Sequence, residues 1–299
     1  MNNYYFLSGS GVKYRPHLRN TMKAKEKDIM NGYQNMVVIF IDLLGTKNNK
    51  RYEDKYLIHR LFHEEAKINE KRNLDHVIYD RKVFSFSDCA FVIYYYKDGI
   101  EESKKNDMKL IQVAMYNTSI SLLRILNAGY LIRGGVTFGQ TYFDELGFFG
   151  PAIERAYKLE SDYADIPIIA VDPDIGETYC KWERKNTDNK LIEYLMTSRP
   201  MLVETDKNKY FVNIFYQLEY AMPILNMPED NIDLEEIKHK LFGVIKRDKG
   251  KYKDGKSYHA ERKKSTIYEK LDWFERYLST KHNRLKLDIV EGGISFIAN

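Results

Sequence analysis

Two aspartates stand where an acid is costly. Asp42 ends the run Asn35-Met-Val-Val-Ile-Phe-Ile-Asp42-Leu-Leu-Gly45, in which six consecutive apolar residues, five of them β-branched or aromatic, precede the acid. Such a run reads as a strand covered on both faces, and a carboxylate at its end is poorly solvated unless something positive sits beside it. Gly45 then lets the chain turn. Asp88 lies in Val83-Phe-Ser-Phe-Ser-Asp88-Cys-Ala-Phe-Val-Ile-Tyr-Tyr-Tyr96, where a tight Ser-Asp turn joins two strand-like runs as in a hairpin. Two acids brought together at strand ends would make a divalent-cation site. Taken alone, Asp42 could equally cap the helix that follows; the second acid in a similar setting favours the cation.

The elements that must position these acids follow from hydrophobic period. The first strand spans 36–42. Residues 51–71 form a helix with Leu57, Ile58, Leu61 and Phe62 near one face. A hairpin at 77–96 is followed by a polar turn, then by an amphipathic helix over 107–128. The strand 130–139, Tyr-Leu-Ile-Arg-Gly-Gly-Val-Thr-Phe-Gly, leads to a turn carrying Asp144 and Glu145. Pro151 opens a helix over 152–162, tolerated there because the first helical N–H has no partner anyway. Residues 166–172 read as another buried strand. Beyond 173, residues 180–194, 234–245 and 265–278 look helical, and 201–203 and 210–212 look like short strands. The alternation predicts an α+β, ferredoxin-like sandwich with helices on one face of an antiparallel sheet. The division is an N-terminal arm (1–33), a central domain (34–172) and a mixed, mainly helical C-terminal elaboration (173–299) whose role the sequence does not name.

Composition narrows the class. The 299 residues suffice to bury a core as one large domain or two small ones. A hydrophobic content of 43% with 30% charge is ordinary for a soluble globular chain. No apolar stretch approaches the ~20 residues of a membrane span, and the N-terminus lacks the features of a signal peptide. Cys89 and Cys180 are too few for a disulfide framework or a cysteine zinc site. A cytoplasmic protein with no membrane partner is expected. The net charge of +4 does not by itself imply nucleic acid. Residues 246–264 hold nine Lys or Arg against three acids; they could meet phosphates, but a solvated loop and helix start is the preferred reading.

Four pieces occur in order: Phe40-Ile-Asp42-Leu-Leu-Gly45, Phe86-Ser-Asp88-Cys-Ala-Phe, Arg133-Gly-Gly-Val-Thr-Phe-Gly139, and Gly150-Pro-Ala-Ile-Glu-Arg-Ala-Tyr-Lys-Leu-Glu-Ser161. Together they resemble the catalytic domain of class III nucleotidyl cyclases. That family carries an apolar strand ending Asp-Ile-x-Gly-Phe, a Gly-Asp hairpin, an Arg-x-Gly-Ile-x-x-Gly strand and a Gly-x-x-Val-Asn-x-Ala-x-Arg-Leu-Glu-Ser helix. The likeness covers roughly 34–172 and is nearest to the pyrimidine cyclases of bacterial antiphage (Pycsar) defence. It implies that Asp42 and Asp88 bridge two Mg²⁺ or Mn²⁺ ions, with the carbonyl of Leu43 completing one shell and the turn at Gly45 facing phosphate. It also implies a head-to-tail homodimer with shared sites, and a cyclic nucleotide product acting on a separate effector protein.

The departures from the family are informative. Glu154 and Lys158 stand where the family has a ribose-orienting Asn and a charge-stabilising Arg. Lysine keeps the charge but loses the bidentate fork, and an ionised Glu154 cannot donate a hydrogen bond. The alternative for Lys158 is an ion pair with Glu154 at i, i+4. Arg133 falls where the family often has arginine, in a catalytic or a structural role. Purine cyclases read the base from two positions that are Phe84 and Gly147 here. Neither side chain can hydrogen-bond a purine edge, which suits UTP or CTP; the alternative for Phe84 is a core position, packed beside Phe86. Tyr52 is a further candidate base contact. Two other functions stay in view: an adenylate or guanylate cyclase with an unusual pocket, and a cyclase-like domain that binds nucleotide without turnover.

Overall fold

The apolar run around Val38 forms the middle of an 11-residue strand, β1 (Gln34–Leu44), with six successive buried residues from Met36 to Ile41. The computed structural model describes residues 32–46, 50–70, 77–162, 164, 166–185, 201–204, 209–215, 234–252 and 267–279. β1 lies inside the sheet between β3 (Cys89–Tyr96) and β4 (Leu131–Phe143), antiparallel to both. β2 (Tyr79–Phe86) pairs antiparallel with β3. A two-residue strand, β5 (Phe148–Phe149), pairs with the end of β4. On the other side β6 (Ile169–Val171) runs parallel to β4, and β8 (Tyr210–Val212) and β7 (Leu202–Glu204) add antiparallel strands. The main order is β2-β3-β1-β4-β6-β8-β7. The sheet therefore continues past residue 172 into the C-terminal third.

Side chains alternate across β1 and divide the core in two. Val37, Ile39, Ile41 and Leu43 face one side. There they meet Ile58, Leu61 and Phe62 of α1 (Tyr52–Glu70), and Leu110, Ile111, Leu122 and Leu123 of α2 (Asp107–Asn127). The same cluster takes in Tyr179 of α4 (Pro173–Lys185), Ile237 and Leu241 of α5 (Leu234–Tyr252), and Leu271 and Phe274 of α6 (Ile267–Ser279). Met36, Val38 and Phe40 face the opposite side, against Ala152, Ile153 and Ala156 of α3 (Pro151–Asp162). The fold is α+β with a mostly antiparallel sheet. Helices α1 and α2 cover one face as expected, and α3 lies across the other.

Several boundaries differ from the sequence reading. Leu57 is exposed although its neighbour Ile58 is fully buried, so the α1 stripe is narrower than the expected four residues. The strand expected over 166–172 has ladder pairing only at 169–171. Pro167 lacks the N–H a ladder needs, and Asp172 marks the handover to α4: its N–H still donates to the Val136 carbonyl at 2.9 Å, while its carboxylate accepts from the N–H of Asp174 at 3.2 Å and its carbonyl from Gly176 at 2.8 Å. The helix expected over 180–194 begins earlier, at Pro173, and residues 186–194 lie outside the described ones. So do nearly all of the N-terminal arm and residues 253–264 of the basic run.

Candidate active site

Asp42 projects from the α3 side of the sheet, paired in register with Cys89 on β3 and Arg133 on β4. Asp88 sits in the two-residue loop between β2 and β3, whose last pair is Phe86 with Cys89. The Leu43 N–H donates to the Asp88 carbonyl at 3.0 Å, so the loop is tied to the end of β1. This backbone bond fixes the two acids relative to each other. The turn demands a left-handed residue, and Ser87 supplies it at φ 57°. A side chain there costs about 1 kcal/mol that glycine would avoid. Gly45, at φ +81°, turns the chain off β1 towards Thr46. The Thr46 hydroxyl donates to the Asp88 carboxylate and lies 3.1 Å from the Leu43 carbonyl.

Helix α1 braces the same loop. Lys55 Nζ lies 4.0 Å from the Asp88 carboxylate and 3.4 Å from Ser87 Oγ. One and two turns further along the helix, His59 Nδ1 lies 3.4 Å and His63 Nε2 2.9 Å from Ser85 Oγ on β2. The two acids therefore have different surroundings. Burial pushes the Asp42 carboxyl above its ordinary value, Arg133 opposes the rise, and the charge on Asp88 adds to it. Asp88 is also pushed up by burial, but bonds from Thr46, Ser87 and its own backbone N–H, with Lys55 nearby, hold it below the usual carboxylate value. Burial, followed by the charges of Asp42, Asp88 and Glu160, raises the Cys89 thiol.

Each acid already faces a protein cation. Arg133 Nε and Nη2 reach Asp42 Oδ2 at 3.1 and 3.0 Å, and Lys55 faces Asp88. The Asp42 and Asp88 side chains keep 23% and 26% of their surface open, enough for a ligand to approach. Their oxygens and the Leu43 carbonyl are hard oxygen donors of the kind that could hold Mg²⁺ or Mn²⁺, with the Thr46 hydroxyl beside both the Leu43 carbonyl and the Asp88 carboxylate. Among the described residues no three His, Cys, Asp or Glu side chains are grouped to hold a metal. The remaining ligands of any cation would have to be water or substrate phosphate, as is usual for Mg²⁺.

The structure brings Asp42, Leu43, Gly45, Asp88 and Arg133 together. Glu154 and Lys158 lie on the exposed side of α3, and among the described residues neither side chain has an ion-pair or hydrogen-bond partner. The i, i+4 pair is not formed. Phe84 packs on Phe148 (centroids 4.6 Å apart) and Phe143 (6.2 Å), not on Phe86, which is 81% exposed. Gly147 belongs to the turn before β5, donating to Asp144 Oδ1 at 3.1 Å while its carbonyl accepts from the Asp144 N–H. Tyr52, three residues before Lys55, is 73% exposed and stacks on Tyr56.

Sequence reasoning missed Thr46, Lys55 and Glu160. Glu160 is the most telling of these: it is buried on α3, with Oε1 2.5 Å from Arg133 Nε. A signal was present, because Ala152, Ile153, Ala156, Leu159 and Glu160 share the buried stripe of the helix. An acid on an apolar stripe needs a partner across the interface.

No protein-family description matches the chain, and no curated protein does. Solved structures that resemble it include two of a bacterial light-regulated adenylyl cyclase, 12% and 13% identical, each with a TM-score of 0.37. Each match covers 76% of this chain and 68% of the cyclase chain. At that distance the functional reading rests on the geometry of the site itself.

Proposed function

We propose that the protein is a class III-like nucleotide cyclase that converts UTP or CTP to the 3′,5′-cyclic monophosphate and pyrophosphate. The observation that carries this reading is the pair Asp42 and Asp88, held together at the ends of adjacent strands by the bond from Leu43 N–H to the Asp88 carbonyl. In the reaction the ribose 3′-oxygen bonds to the α-phosphorus, the bond from that phosphorus to the oxygen bridging to the β-phosphate breaks with its electron pair leaving on pyrophosphate, and the hydroxyl proton passes to solvent. Asp42, Asp88 and the Leu43 carbonyl would hold the cations, which when bound acidify the 3′-hydroxyl and neutralise triphosphate charge. Arg133 supplies a further positive charge beside them.

Lys158 and Glu154 face outwards, where a second copy could receive them. This supports a head-to-tail homodimer in which the acids come from one chain and Lys158 and Glu154 from the other. Phe84 packs against Phe148, which also meets Phe91, and its ring offers no hydrogen bond at a position from which purine cyclases read the base; the pyrimidine assignment is therefore drawn from the family resemblance. The product would act in the cytoplasm on a separate effector, in antiphage signalling on the strength of the family resemblance alone. Binding without turnover is the second reading, favoured by Glu154 in place of a ribose-orienting amide.

Asp42→Asn and Asp88→Asn test the proposal. Each should lower cyclisation by about a thousandfold or more while the fold is kept. Activity within about tenfold of wild type in either variant contradicts the site assignment. Mixing Asp42→Asn with Lys158→Ala should restore roughly a quarter of wild-type activity through heterodimers with one intact site. No recovery after verified subunit exchange contradicts the shared site.

A further inference from the structure

Arg133 is ion-paired with two acids at once, its Nε–H and Nη2–H donated to Asp42 and its charge set against Glu160. Its Nε lies 2.5 Å from Glu160 Oε1, and its Nε and Nη2 lie 3.1 and 3.0 Å from Asp42 Oδ2. The acids differ in setting, since the Glu160 side chain is 5% exposed and that of Asp42 is 23% exposed. Glu160 also sits where α3 is pressed hard onto β4. A Cβ on Gly135 would fall 2.4 Å from the Ala156 carbonyl, so the helix backbone approaches the strand as only glycine permits. That approach brings Glu160 to the strand that carries Arg133.

A buried carboxylate is costly unless paired, and an amide of the same shape would fill the space without that cost. A cation at Asp42 must share the carboxylate with a guanidinium or displace it, and a guanidinium with no other anchor would compete with the cation for Asp42. We infer that Glu160 is a positioning residue: by holding Arg133 from the α3 side, it keeps Asp42 available for a divalent cation. The inference rests on the reading of Asp42 as a cation ligand and assigns Glu160 a role that acts through Arg133.

The test is a double-mutant cycle read by Mn²⁺ binding alone, following the free-ion signal by electron paramagnetic resonance. Glu160→Gln should bind Mn²⁺ about tenfold more weakly, because Arg133 then settles wholly on Asp42. Removing the guanidinium as well, in Glu160→Gln with Arg133→Met, should return the affinity to wild type or better. Glu160→Asp, which keeps the charge but shortens its reach, should weaken binding about threefold. Asp42→Asn should abolish binding in every background.

A merely structural Glu160 would lower stability without any recovery in the double variant. Wild-type Mn²⁺ affinity in folded Glu160→Gln, or a double variant as weak as the single, overturns the inference and leaves the cation site standing. Undiminished binding in Asp42→Asn overturns the cation site itself, and the inference with it.

Discussion

The two faces of the central sheet are built from the same strands and do different work. On the side of α1 and α2, alternate β1 residues are sealed from water: Val37, Ile39 and Ile41 are at most 1% exposed, beneath Ile58, Leu123 and Ile125 at 0%. On the other side α3 is the one helix, among the described residues, that covers the sheet; it seals Met36 and Val38 at 0% but leaves the edge near Asp42 open. There Phe86 stays 81% exposed and Tyr157 55% exposed, and Asp42, Arg133 and Glu160 interrupt the apolar pattern. The first face supplies burial, which stabilises by about 25 cal/mol per Å². The second gives up some of that burial to place charges beside an open edge. Local departures from the pattern that would best stabilise a fold are where function is to be sought.

The largest expected contrast lies between Leu123 and Phe86. Leu123→Ala on the sealed face should cost about 3 kcal/mol in denaturant unfolding. Phe86→Ala on the open face should change stability by no more than about 0.5 kcal/mol. Similar losses in the two variants would erase the distinction. Gly135→Ala is expected to cost about 2 kcal/mol, since its new methyl would meet the Ala156 carbonyl of α3; a neutral outcome would show that α3 can lift from β4 freely. Ser87→Gly should raise stability by about 1 kcal/mol by relieving the left-handed turn, and a loss would show that the Ser87 side chain outweighs its backbone strain.

The smallest effect separates the two acids by pH. The folded value of Asp88 lies below its ordinary one. Its ionised form therefore stabilises the fold above the unfolded value, near 3.8, and that contribution is lost as pH falls through the folded value. The folded value of Asp42 is raised, so its ionised form costs stability at neutral pH and the cost fades as pH falls. Asp88→Asn should accordingly be less stable than wild type at pH 7 and converge with it in acid, whereas Asp42→Asn should not show this loss. Thermal unfolding across pH checks both, and the same pH trend in both variants would contradict the assigned environments.

Much of this arrangement is legible in the sequence, for physical reasons. Asp42 ends an apolar run and Asp88 sits in a two-residue turn, so each announces itself within about ten residues of chain. Helical period reveals that α3 has an apolar stripe but cannot say which face of the sheet receives it. The ion pair of Arg133 with Asp42 joins residues 91 apart in the chain, and only the register of β1 against β4 brings them together. Thr46 and Lys55 give no local signal, because a threonine after a turn and a lysine on a charged helix are ordinary. Glu160 does give one, an acid within the buried stripe at Ala156 and Leu159.

Incubation of the purified protein with each of the four nucleoside triphosphates and Mn²⁺, with products identified by mass, tests the central claim most directly. A cyclic monophosphate and pyrophosphate should form from UTP or CTP. The corresponding kcat/KM should exceed that for ATP or GTP by at least about a hundredfold, and the product should vanish in Asp88→Asn. A preference for ATP or GTP would contradict the pyrimidine assignment alone. No cyclic product from any of the four, or a product that survives the loss of Asp88, would contradict the cyclase.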